Sequence, residues 1–203
     1  MVRLNDILAH PDIAHLARSL LDSPGQPIAV EPPVREAAVA MVLRLGTGGE
    51  PELLMIKRAE VDRDPWSGHV ACPGGRREPA DRDLETTATR ETWEETGIDL
   101  ATEGRILGVL NDVMPRTPVL PPILIRPFVA VVPPDVEIAP SPEVASAFWV
   151  PLSALRERAG WGARLVTVRG TPREEATFSH GDHVVWGLTE RILRQLVERM
   201  GPG

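Results

Sequence analysis

Residues 74–98 read GGRREPADRDLETTATRETWEETGI, and this stretch decides the fold. On a helix, residues three and four positions apart share one face, so Glu91, Glu94 and Glu95 are predicted to lie on one stripe. Like charges at this spacing repel one another, and a bound cation would relieve the repulsion. Ligands that offer only oxygen suit a hard ion such as Mg²⁺ or Mn²⁺. The stretch therefore predicts a helical metal site of the kind that polarises a phosphoryl oxygen and activates water.

A solvated acidic helix that binds no metal is the alternative interpretation of these glutamates. The surrounding residues favour the metal site: a double glycine precedes the helix, Arg90 adjoins the first glutamate, and Gly97 follows the last one. Each further fixed position makes a chance match to a motif rarer.

The stretch resembles the signature of the Nudix family, whose members hydrolyse nucleoside diphosphates linked to another moiety. The family pattern is G-x5-E-x7-R-E-U-x-E-E-x-G-U, with U a bulky apolar residue. The residues that match it are Gly75, Arg90, Glu91, Glu94, Glu95, Gly97 and Ile98. The resemblance covers roughly residues 35–200 and implies an α/β fold, the Nudix-type α/β/α sandwich with a mixed β-sheet.

Two residues depart from the family pattern. Asp81 stands where the first glutamate is expected, and eight residues rather than seven separate it from Arg90. This departure resembles the branch of the family that includes coenzyme A pyrophosphatases, and it leaves open whether Asp81 is a metal ligand. Thr92 replaces an apolar residue, which is expected to weaken the core side of the helix.

A second signature of that branch resembles the residues before the helix. These residues are Leu53, Leu54, Arg58, Arg63, Gly68 and the run from Cys72 to Gly75, with a longer spacing and with Cys72 in place of phenylalanine. Because arginine pairs bidentately with phosphate oxygens, Arg58 and Arg63 are predicted to bind the diphosphate or a 3′-phosphate, together with Gly74 and Gly75. The alternative is that both arginines are exposed loop charges.

The resemblance also implies roles for the other site residues. The predicted ligands of Mg²⁺ or Mn²⁺ are Glu91, Glu94, Glu95 and a backbone carbonyl around Gly75. Arg90 lies one turn before Glu94, and we expect it to orient that carboxylate. The alternative for Arg90 is an ordinary surface salt bridge.

The general base is predicted to lie outside the signature, as it often does in this family. Glu143, just before a predicted strand, is the candidate, with Glu91 as its competitor and an exposed loop residue as the alternative. Trp66, in the loop before the glycines, is a candidate for stacking on adenine. His69 is assigned no role, and Trp186 is expected in the core or at an interface.

The composition limits the class of protein. The chain has 203 residues, a net charge of −7 and one cysteine, Cys72. The negative charge argues against nucleic acid as the main partner, and the single cysteine excludes an internal disulfide. No run has the length of a membrane span, and the first residues do not resemble a signal peptide. We therefore expect a cytoplasmic protein, and the resemblance implies that it acts on a small nucleotide-derived substrate.

The patterning predicts a helical extension with a linker over 1–34, and the resemblance implies a Nudix hydrolase domain over 35–203. Many members of the family are homodimers, and no stretch of this sequence specifies an interface. Predicted helices span 4–21 (interrupted at Pro11), about 82–96 and 184–200, with a short one from Pro151. Predicted strands are 37–45, 53–56, 69–72, 106–113, 123–132, 147–150, 165–168 and 175–178.

The expected activity is metal-dependent hydrolysis of a diphosphate linkage, with coenzyme A or its thioesters as the leading substrate. ADP-ribose or another nucleotide sugar is the second candidate within this class. A nucleotide-binding regulator with the same fold and without activity is the alternative of another class, and a nonenzymatic scaffold is a further one. The intact glutamates argue against both.

Overall fold

The computed structural model describes residues 4–30, 34–61, 67–115, 122–168 and 171–201. The helices are α1 (Leu4–Ala9), α2 (Pro11–Asp22), α3 (Leu84–Thr96), α4 (Leu152–Arg156) and α5 (Gly187–Met200). The strands are β1 (Arg35–Leu45), β2 (Pro51–Arg58), β3 (Val70–Ala71), β4 (Gly74–Arg76), β5 (Arg105–Val109), β6 (Ile123–Val131), β7 (Val144–Pro151), β8 (Trp161–Val168), β9 (Thr171–His180) and β10 (His183–Trp186).

The main sheet is mixed. Strands β1 and β6 run parallel, whereas β2, β4, β5 and β7 each pair antiparallel to a neighbour. The strand order is β3-β2-β1-β6-β5, with β7 on the other side of β2 and β4 alongside β1. Strands β8, β9 and β10 form a separate antiparallel sheet.

Helices cover both faces of the main sheet, and the alternation of β1 shows why. Ala40 and Val42 belong to the apolar cluster under α3, whereas Met41 and Leu43 belong to the cluster that α2 and α5 cover. Side chains of a strand point alternately to its two faces, so a strand buried on both faces reads as a continuous apolar run. The predicted α/β fold with a mixed sheet is confirmed.

The glycine segment fills a gap between two diverging strands. Strands β1 and β2 pair only next to their connecting turn, after which β3 pairs with β2 and β4 pairs with β1. Gly74 has φ of 153°, and a Cβ there would lie 2.3 Å from the carbonyl oxygen of Ala38. Only glycine fits so close an approach. This arrangement places the double glycine inside the sheet. The second half of α3 crosses the sheet at this point.

The last part of the chain differs from the prediction. Residues 183–186 form β10, which pairs with β9, and α5 begins at Gly187 rather than at residue 184. The predicted helix was wrong there because Val185 continues the apolar periodicity of the helix, although it packs as a strand residue. Gly187 has φ of 70° and separates the two elements.

Strand β5 is also shorter than predicted. It ends at Val109, whereas the apolar run suggested a strand to Val113. The register of its pairing with β6 shifts between Ile106 and Gly108, and Gly108 has φ of 158°, as expected for a β-bulge.

The two N-terminal helices pack against the main sheet. Ile7, Ile13, Leu16 and Leu20 are buried in the same apolar cluster as residues of α5. The division of the chain at residue 34 stays a prediction. In the part of the chain that the structure describes, no helix is long and apolar enough to span a bilayer.

Candidate active site

Helix α3 carries the predicted site residues, and both of its ends are capped. The Asp83 carboxylate accepts a hydrogen bond from the Thr86 N–H at 2.8 Å, which satisfies a free donor of the first turn. At the other end Gly97 adopts a left-handed conformation with φ of 77°. The caps fix the helix, and its last two turns lie over the glycine strand β4.

Glu95 is the most buried of the three helix glutamates, with 3% of its surface exposed. It accepts a hydrogen bond from the Gly74 N–H at 2.8 Å and lies 3.3 Å from the Arg58 guanidinium. Burial raises the pKa of Glu95 to about 7, although the Gly74 N–H and Arg58 oppose this rise. A carboxylate buried among other acids is costly to ionise, and a cation beside it would lower that cost.

Glu91 packs directly onto the second glycine. A Cβ on Gly75 would lie 2.4 Å from the Glu91 carboxyl group, so any larger residue at this position would displace that carboxyl group. Burial raises the pKa of Glu91, and the Glu94 and Glu143 carboxylates add to the rise while Arg90 opposes it. The Glu91 carboxyl group thus lies against the backbone of β4, where the absence of a side chain at Gly75 leaves room for it.

Arg90 connects the helix to the preceding loop through Asp81. Asp81 is buried and accepts hydrogen bonds from Arg90 Nε and Nη2, both at 3.0 Å. The N–H of Glu78 and the hydroxyl of Thr87 also donate to it, each at 2.9 Å. Arg90 comes first among the causes that lower the pKa of Asp81 to about 2. The sequence left the role of Asp81 open, and the structure pairs it with this arginine.

The remaining guanidinium nitrogen of Arg90 faces the glutamates. Nη1 lies 2.8 Å from the Glu94 carboxylate and 3.0 Å from that of Glu91. The Glu94 side chain is 46% exposed, whereas that of Glu91 is 17% exposed. Nη1 also lies 4.0 Å from the Glu78 carboxylate, so Arg90 is the common partner of four carboxylates, two in the loop and two on the helix.

Glu143 lies near the carboxylate cluster, by which we mean Glu91, Glu94 and Glu95, although it is distant from them in the sequence. The segment before it is fixed to the end of α3, because the Ala139 N–H donates to the Thr96 carbonyl and the Ser141 N–H donates to the Glu95 carbonyl. The Glu143 side chain is exposed, and its charge contributes to the raised pKa values of Glu91 and Glu95. The structure thus brings this candidate base near enough to the helix for its charge to act on both glutamates.

The two predicted phosphate ligands differ in what the structure describes. Arg58 ends β2 and contacts Glu95, so its guanidinium lies at the carboxylate cluster. Arg63 and Trp66 lie outside the described residues. Both glycines are engaged in backbone contacts, since Gly74 donates to Glu95 and Gly75 pairs with Ala38 in β1.

The carboxylate oxygens of Glu91, Glu94 and Glu95 do not converge on one point in this structure. Among the described residues, no group of three or more acidic, histidine or cysteine side chains is arranged to hold a metal ion. The Glu91 and Glu94 carboxylates form ion pairs with Arg90. The Glu95 carboxylate forms an ion pair with Arg58 and accepts a hydrogen bond from the Gly74 N–H. The donors are carboxylate oxygens on neighbouring turns of one helix, a set that fits a hard divalent cation after these side chains rotate.

Comparison with known proteins identifies the family. A model of the NUDIX domain matches residues 34–169. The chain belongs to the Nudix family. A Nudix hydrolase of Photorhabdus laumondii, NudL, described as uncharacterized, is 31% identical over 184 residues, which cover 90% of this chain and 94% of that protein.

Two further relatives bear on the substrate and on the fold. The human mitochondrial coenzyme A diphosphatase NUDT8 is 33% identical over 172 residues, or 83% of this chain and 72% of that protein. The crystal structure of a Nudix hydrolase from Alicyclobacillus acidocaldarius matches with a TM-score of 0.54 at 23% identity, covering 83% of this chain and 93% of that one. The second likeness concerns the fold alone. The predicted family is confirmed, and the chain is a Nudix hydrolase.

Proposed function

We propose that this Nudix hydrolase uses a divalent cation to cleave the diphosphate linkage of coenzyme A or its thioesters. The observation that carries the proposal is the packing of Glu91 and Glu95 against Gly74 and Gly75, with Arg58 beside Glu95. The human relative named a coenzyme A diphosphatase, 33% identical over 83% of this chain, supports the substrate.

The proposed metal ligands are Glu91, Glu94, Glu95 and a backbone carbonyl around Gly75. Mg²⁺ or Mn²⁺ bound there supplies charge neutralisation of the phosphates and a water of lowered pKa. Arg90, fixed by the buried Asp81, keeps the carboxylates of the helix oriented when they take up that role.

The substrate phosphates are proposed to meet Arg58 and Arg63. A guanidinium offers two parallel N–H donors to a phosphate, so an arginine that lies beside the carboxylates can bind the diphosphate that they act on. Arg58 has this position, with Nη1 at 3.3 Å from Glu95. The part played by Arg63 rests on the resemblance alone.

The reaction consumes one water. Its oxygen forms a bond to one phosphorus of the diphosphate, the bond between that phosphorus and the bridging oxygen breaks, and two phosphate monoesters leave. From coenzyme A these are 3′,5′-ADP and phosphopantetheine. Glu143 and Glu91 are the candidates for the base that takes the proton of the attacking water, and both lie at the carboxylate cluster.

A comparison of substrates tests the proposal. We would measure kcat/KM for coenzyme A, acetyl-coenzyme A, ADP-ribose, diadenosine polyphosphates and NADH, with Mg²⁺, with Mn²⁺ and with excess EDTA. The proposal expects coenzyme A and its thioester to be preferred, release of 3′,5′-ADP, and loss of turnover with EDTA. Preference for ADP-ribose would contradict the assigned substrate, and turnover that survives EDTA would contradict the metal.

A further inference from the structure

An aromatic pair lies at the edge of the main sheet, close to the hydrolytic site. Trp186 is the last residue of β10 and directly precedes α5. Its ring centroid lies 4.5 Å from that of His69, with the two planes inclined at 55°. Both residues are half-buried, so part of each remains accessible to solvent.

The position of β10 across the main sheet directs Trp186 to this edge. Ile56 of β2 pairs with β3 on one side and with β7 on the other. At the start of β10, His183 stacks on Phe148 of β7 with a centroid distance of 3.8 Å. Val185 is buried in the cluster under α5, so its neighbour Trp186 points the other way, toward His69.

The aromatic pair adjoins the arginine that is proposed to bind phosphate. The Arg58 N–H donates to the His69 carbonyl at 2.9 Å, which makes the two residues neighbours across β2 and the segment entering β3. Residues opposed in antiparallel strands project from the same face. A ligand whose phosphates contact Arg58 can therefore extend its other end over His69 and Trp186.

We propose that Trp186 and His69 form the platform on which the nucleobase of the substrate stacks, which makes them specificity-determining residues. This inference rests on the proposed function, because it assumes a nucleotide-derived substrate at Arg58. Trp186 lies beyond residues 34–169 that match the family, so the platform includes a residue from outside that match. Stacking of one base on an aromatic side chain strengthens binding by about 5-fold to 150-fold.

Two ligands that differ in the base test the platform. Isothermal titration of the full-length protein would compare 3′,5′-ADP with ribose 5-phosphate, which has no base. Trp186→Leu should weaken binding of 3′,5′-ADP at least about 5-fold and leave that of ribose 5-phosphate unchanged. Trp186→Phe, which keeps a ring, should stay within about 3-fold of the wild type.

Two more variants keep the outcome decisive. His69→Ala removes the second ring and should also weaken binding of 3′,5′-ADP selectively, which covers the case in which Trp186→Leu fails to fold. Trp93→Leu is the matched control, because Trp93 is 59% exposed on the outer side of α3 and should not affect either ligand.

The results separate the platform from the proposed substrate. Unchanged affinity of Trp186→Leu for 3′,5′-ADP, or equal weakening for both ligands, would overturn the platform even if coenzyme A is hydrolysed. If the wild type cleaves ADP-ribose instead of coenzyme A, the proposed substrate fails. The same variants then still decide the platform, because both compounds contain adenine, and selective weakening supports it.

Discussion

Replacement of Asp81 by asparagine removes the charge that Arg90 faces, and its cost can be worked out from the structure. The side chain is 3% exposed, and the pKa is lowered from 3.8 to about 2, first by the hydrogen bonds from Arg90. A lowered pKa in the folded state means that folding favours the ionised carboxylate, so the stabilisation is complete above the unfolded value and is lost as the pH falls through about 2. The two pKa values correspond to about 2 kcal/mol at pH 7 and to about 1 kcal/mol at pH 3.

The free energy of unfolding, measured by urea denaturation, checks this estimate. Asp81→Asn should be about 2 kcal/mol less stable than the wild type at pH 7, and the difference should shrink by about half at pH 3. Asp135→Asn, at an exposed position, should differ little from the wild type at either pH. Equal stability of Asp81→Asn and the wild type at pH 7, or a difference that does not shrink on acidification, would refute the reasoning.

Two further substitutions test the packing around α3. Gly75→Ala should lower kcat at least about tenfold, because the new methyl group would lie 2.4 Å from the Glu91 carboxyl group and displace it. Gly48→Ala is the control: a methyl group there would have nothing within 4 Å, so steady-state kinetics should stay unchanged. Equal kinetics of the two variants would contradict the packing. Thr92→Val should change the free energy of unfolding by less than about 1 kcal/mol, because the buried hydroxyl donates only to the Ala88 carbonyl of the preceding turn. A loss of stability above about 2 kcal/mol in urea denaturation would contradict this expectation.

The part of the site that is local to α3 could be predicted from the sequence. A helical period places Glu91 and Glu95 on one face, and Gly97 marks the end of the helix, so helix 82–96 was predicted within two residues of the observed Leu84–Thr96. Contacts between the helix and other segments could not be predicted in this way. No periodicity relates the loop that carries Asp81 to Arg90, and the donation of the Gly74 N–H to Glu95 depends on how β4 enters the sheet.

Among the strands, too, the features local to one segment could be predicted and those that depend on pairing with another segment could not. The apolar runs of β1 and β6 are buried on both faces, and both strands were predicted close to their observed bounds. Strand β10 was missed, because its four residues carry no alternation long enough to distinguish a strand from the first turn of a helix. Its pairing with β9 decides its conformation, and this pairing brings Trp186 to His69.

The most direct test of the central claim compares two glutamates of the same helix. Glu95→Gln removes a buried carboxylate of the cluster, whereas Glu85→Gln removes an exposed one from the first turn. Binding of Mn²⁺ by isothermal titration and turnover of coenzyme A would be measured for both variants. The account predicts that Glu95→Gln weakens Mn²⁺ binding and lowers kcat at least about a hundredfold, while Glu85→Gln behaves as the wild type. Wild-type metal binding and turnover in Glu95→Gln would contradict the account.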